Sequence, residues 1–120
     1  MSSPPPPPRS VSPYELALRQ IRKHPFTGGS TRLSKLILSL WNDECCYSVR
    51  ECLDGQDDEW MALSLAAVAH YAEHGEDEEL RRVGKAVYEL YPALWEIGQA
   101  GTAAKHARTD EARKGRTDED

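Results

Sequence analysis

One phenylalanine and two methionines stand among 120 residues, and no segment alternates apolar with polar residues for the length of a strand. β-Branched residues are also sparse, so a sheet has little to build from. The richest apolar stretch, Trp60 to Ala72, has 13 residues, against the roughly 20 that cross a bilayer. The first residues show neither the basic region nor the apolar run of a secretory signal. A cytoplasmic protein without membrane contact is therefore expected. Cys45, Cys46 and Cys52 form an odd set, and adjacent cysteines rarely bridge each other, so three reduced thiols fit that compartment.

Catalytic signatures are equally scarce. No serine sits in a Gly-x-Ser-x-Gly elbow, and no cysteine has an evident base. Thr27-Gly28-Gly29-Ser30-Thr31 is glycine-rich but lacks the spacing and lysine of a phosphate loop. As a helix start it is a capped turn, although such a turn can also hold an anion. The expectation is a non-enzymatic protein with no cofactor.

What is present divides the chain in three. Residues 1–11 contain Pro4–Pro8, which favours extended polyproline II and cannot join a core. Residues 101–120 hold no Leu, Ile, Val, Phe, Trp, Tyr or Met, so disorder or a fraying helix is expected there. Residues 12–100 carry every Trp and Tyr and form the one domain. Charge follows the same division: +3 over residues 1–25, −8 over 26–100, and a neutral tail, within a net −5. An acidic core repels phosphate backbones and argues against direct nucleic-acid binding.

Helical punctuation is clear. Ser12-Pro13-Tyr14-Glu15 opens a first helix as a capping box, with Pro25 beyond its end. Ser30 or Thr31 caps a second, whose Leu33, Leu36, Ile37, Leu40 and Trp41 share a face before Asn42. Ser48 and Glu51 box a short third helix with Val49, Cys52 and Leu53 on one side, closed by Gly55. Asp57 or Asp58 caps a fourth, apolar around most of its circumference and so expected to be central. A fifth starts in the acids Glu76 to Glu79 and carries Leu80, Val83, Val87, Tyr88 and Tyr91, with Gly84 on the same face for close approach of a neighbour. A last turn follows Pro92 and ends before Gly98 and Gly101. The fold class is all-α: a compact bundle of four to five short helices with disordered ends.

Three constellations are candidate sites. His70 and His74 lie four apart with Glu73 between them, the H-x-x-E-H order of inverted zinc peptidases, though the domain is small for a substrate cleft. A structural zinc would use His70, His74 and Cys52, or draw on Cys45 and Cys46, without matching a Cys-x2-Cys knuckle. Histidines in a helix's last turn also suit the dipole with no metal at all. Helices one and two invite a helix-turn-helix reading with Arg32 and Lys35 as DNA contacts, but the connection is longer than that motif uses. Finally, Asp57, Asp58, Glu59, Glu73, Glu76, Asp77, Glu78 and Glu79 gather at the two ends of the fourth helix, where acid can fill a basic groove on a partner. A solvated face with helix caps is the plainer account. Pro4–Pro8 can likewise serve an aromatic groove or remain a plain extension.

The stretch from Gly28 to Asn42, ending Leu40-Trp41-Asn42 and followed by a short helix and an acid-started one, resembles small uncharacterised helical proteins of proteobacterial plasmids and integrated elements. The likeness spans residues 27–95 and implies an accessory protein of a mobile element. The expectation is a protein-interaction module whose acidic face binds an unidentified protein, with a homodimer covering Trp60 or Tyr91 as one assembly.

Overall fold

The computed structural model describes residues 11–118, with side chains to residue 114. Six helices and no strand occur among them: α1 (Pro13–Lys23), α2 (Gly28–Trp41), α3 (Val49–Leu53), α4 (Asp58–His74), α5 (Glu78–Leu90) and α6 (Pro92–Asp118). The fold is an all-α bundle. Five helices start on a side-chain cap, Ser12, Thr27, Ser48, Asp57 and Asp77, each accepting a backbone N–H of the first turn.

Several local expectations are corrected. Ser12 accepts from the Glu15 amide, but the Glu15 carboxylate turns to Arg82 and Arg19. The reciprocal capping box forms at Ser48 and Glu51. Helix α2 starts at Gly28 under Thr27, a turn earlier than Ser30 or Thr31 would place it. Gly29 belongs inside because Trp60 lies on it; a Cβ there would stand 2.5 Å from the indole. Val49 of α3 points outward and is 75% exposed.

The largest correction concerns the centre. Helix α2, not α4, is the hub, touching all five other helices. Its Leu33, Leu36, Ile37 and Leu38 are buried with Tyr14, Leu18 and Ile21 of α1 and Leu80, Val83 and Val87 of α5. Helix α4 buries only Trp60, Ser64 and Ala67. Five of its apolar residues are alanines, which gain little by burial, and Leu65, Val68 and Tyr71 are exposed, so the branched side chains of α2 take the middle.

Trp60 and Tyr91 are each only 8% exposed, so neither calls for a second subunit to cover it. Tyr91 instead ties the α1–α2 turn. Its hydroxyl accepts from Phe26 N at 2.7 Å and shares a 2.8 Å hydrogen bond with Ser30 Oγ. That anchor holds Phe26 at φ 63°, a left-handed conformation that non-glycine residues seldom adopt.

The last helix also departs from expectation, passing through Gly98 and Gly101 without stopping. Gly98 stands inside the helix where a Cβ would run into the Cys45 and Tyr47 side chains. Tyr47 donates to Leu94 O at 2.6 Å, and Thr102 Oγ1 accepts from Cys46 N at 3.2 Å. Past Thr102 the described side chains of α6 are exposed. Disorder or fraying helix is the expectation over 101–120; the described part is helix, and residues 1–10 and 119–120 lie outside the described residues.

Candidate functional site: the outer face of helix α4

Helix α4 packs on α1 and α2 through one side. Trp60 meets His24 edge-on, His70 meets the Tyr14 ring edge-on at 5.0 Å, and Ser64 donates to Gln56 at 2.9 Å. The opposite side carries Met61, Leu65, Val68, Ala69 and Ala72 at helical spacing. Leu65 is 54% exposed and Val68 39%, with Ala69 and Ala72 exposed beside them and Met61 half-buried at the edge. An apolar stripe about 17 Å long thus faces solvent, within a helix of about 25 Å. Sequence reasoning assigns these residues to the core; periodicity reports a fully apolar helix equally for a buried position and for a two-sided one.

The acidic residues bracket this stripe rather than forming one continuous face. Asp57, Asp58 and Glu59 sit at its start; Glu73 and Glu76 to Glu79 sit at its end. Many have structural duties. Asp57 and Asp77 cap helices, Glu59 accepts from Gln20 at 3.1 Å, Glu76 pairs with Arg81 at 3.1 Å, and Glu79 lies 3.4 Å from Arg82. Asp58 and Glu78 bond to nothing within the described chain, and Glu73 has only His74 at 3.8 Å.

The histidine pair is brought together at the same end. The His70 and His74 rings lie 4.5 Å apart, and His70 Nε2 faces Asp77 Oδ2 at 3.5 Å. Val11, Ser12 and Pro13 complete a shallow cavity of about 570 Å3 around them. Cys52 is elsewhere, buried on α3, with its thiol pushed up to about 11 by burial and by the Glu51 charge. Cys45 is likewise buried and raised to about 11 by burial, with Cys46 adding to it. Among the described residues no group of three or more His, Cys, Asp or Glu side chains is placed to hold a metal ion.

The proposed DNA contacts are half-buried against the chain's own surface. The Arg32 guanidinium lies over Gly28 and Gly55, and Lys35 Nζ sits 5.2 Å above the Tyr47 ring. A cleft of about 360 Å3 beside Trp60, lined also by Gln20, His24 and Glu59, escapes sequence reasoning because separate segments of the chain meet there. Among the described residues no helix is long and apolar enough to cross a membrane. Compared with family models, curated proteins and solved structures, the chain matches none.

Proposed function

We propose that this chain is a non-enzymatic, cytoplasmic protein-interaction module that binds a basic surface on another protein through the acidic side chains at the ends of α4. The observation that carries this reading is the unpaired acid: among the described residues no side chain pairs with Asp58 or Glu78. Charges held for helix capping or ion pairing account for Asp57, Asp77, Glu76 and Glu79, while these two have only the helix dipole of the first turn, which leaves their carboxylates open to a partner. The resemblance to plasmid and integrated-element proteins supplies the context, an accessory protein acting on a host or element-borne nucleic-acid-processing complex. An acidic surface suits a groove built for phosphate.

The test is affinity capture with the full chain and with a variant carrying Asp58→Asn, Glu73→Gln and Glu78→Gln. These positions are chosen because neutralising Asp77 or Glu79 would also remove a cap or an ion pair. A basic partner held by the natural chain, released by salt and absent with the variant, supports the reading. A partner kept equally by both chains overturns it.

A further inference from the structure

We propose that the outer face of α4 is a seat for an amphipathic helix of a partner, apolar along one side and basic at both ends. The seat presupposes the interaction role proposed above and names its ligand. Three features of the face select that occupant.

The first is shape. Met61, Leu65, Val68, Ala69 and Ala72 repeat at helical spacing along one line, and α1 and α2 lie on the other side of the helix. Ala62 and Ala66 flank this line and are also exposed, so a second helix can approach closely. The second is charge at both ends. The start of α4 carries a formal −3 from Asp57, Asp58 and Glu59. Glu73 and Glu76 to Glu79, set against Arg81 and Arg82, give −3 at the other end. Asp58 lies three residues before Met61, and Glu73 follows Ala72 directly, so charge ends the apolar line at each side. A helix of about 25 Å with Lys or Arg at both termini matches acid to base while its middle covers Leu65 and Val68.

The third feature is what the face rejects. A second copy of this chain would bring an acidic end onto an acidic end whether the two helices ran parallel or antiparallel, which costs energy at both ends. A contact one helix wide also falls short of the roughly 800 Å2 per partner of a stable interface. The seat therefore suits reversible, micromolar recognition of an oppositely charged helix rather than a permanent dimer.

The experiment uses the full chain and a labelled 18-residue synthetic peptide with leucines on one helical face and two lysines at each end, followed by fluorescence anisotropy. Two control peptides carry glutamate at the ends or a scrambled apolar pattern. The lysine-ended peptide is expected to bind at micromolar concentration, and both controls at least tenfold more weakly. Leu65→Ser with Val68→Ser should weaken binding at least tenfold. Both positions are exposed, and circular dichroism checks that the helix content is unchanged. Loss of binding on neutralising Asp58 and Glu73, with no effect of the serine pair, overturns the apolar seat and leaves the acidic interaction role standing. Indifference to both sets of substitutions overturns both. Sedimentation of the unliganded chain as a dimer that the serine pair dissolves makes a second copy the occupant and overturns the proposal.

Discussion

The Trp41 side chain lies flat against Gly84, so that a Cβ on that glycine would run into the indole's Cγ. The contact joins the end of α2 to the middle of α5 and starts an aromatic group: the Trp41 ring is 5.4 Å from Trp95 and 6.5 Å from Tyr88, and Tyr88 meets Trp95 edge-on at 5.6 Å. Glycine in a helix interior costs about 1 kcal/mol relative to alanine. Here the close packing of two helices offsets it.

Gly84→Ala is expected to lower stability by about 1–3 kcal/mol despite its better helix propensity, because the added methyl overpacks a rigid ring. Urea denaturation checks this. A stabilised variant would show that α5 can slide from α2 without loss.

Glu15 of α1 and Arg82 of α5 form a 2.7 Å ion pair, with the acid on the basic helix and the base on a helix whose charges balance. The Arg82 hydrogen bond holds the Glu15 carboxyl below its ordinary 4.5, and Arg82 is raised in return. A depressed carboxyl contributes stability above its unfolded pKa and loses it as the pH falls through the folded value. Arg82 is half-exposed, so Glu15→Gln should cost only about 0.5–1 kcal/mol at pH 7. That difference should vanish in the acid range below pH 4.5, as thermal melts of the two proteins at several pH values would show.

Among the described residues two buried hydroxyls, Tyr14 Oη and Ser34 Oγ, have no hydrogen-bond partner. Burial, with Asp77 and Tyr71 nearby, pushes the Tyr14 phenol up to about 12. An unsatisfied buried hydroxyl costs about 1–3 kcal/mol. Tyr14→Phe and Ser34→Ala are therefore expected to leave stability unchanged or to raise it by up to about 1 kcal/mol. A loss beyond that in chemical denaturation would mean that each hydroxyl has a bonded water.

Thiol access should separate the cysteines. Cys45 and Cys52 are buried with thiols near 11, while Cys46 is half-exposed. Brief iodoacetamide treatment at pH 8, read by peptide mass spectrometry, is expected to mark Cys46 alone, with the other two reacting only on unfolding. Equal labelling of all three would contradict the packing of α3 and α6 against the α2–α3 loop.

The sequence reveals elements better than their arrangement. Caps at Ser12, Ser48 and Asp57 are legible because a short polar side chain before a helix has one local use. The close approach at Gly84 is legible because the glycine interrupts an otherwise apolar face. Ranking by burial fails, since the fourth helix is rich in alanine and a count of apolar residues takes it for the core. The exposed stripe of α4 is hidden for the same reason. Whether acid caps, pairs or stays free depends on partners distant in sequence, as Glu15 and Arg82 show.

Thr102 marks where α6 stops belonging to the bundle. It is 6% exposed in a segment without large apolar residues. Its hydroxyl donates to Gly98 O at 2.9 Å while accepting from the Cys46 amide. Replacement by valine keeps the volume but strands that amide, so Thr102→Val should destabilise by about 1–2 kcal/mol. Truncation after residue 106 removes exposed helix and should leave the melting temperature within about 2 °C. If truncation costs as much as the valine, the outer part of α6 has a stabilising role that its exposed side chains do not reveal; a Thr102→Val variant as stable as the natural chain would place the boundary of the domain before Thr102.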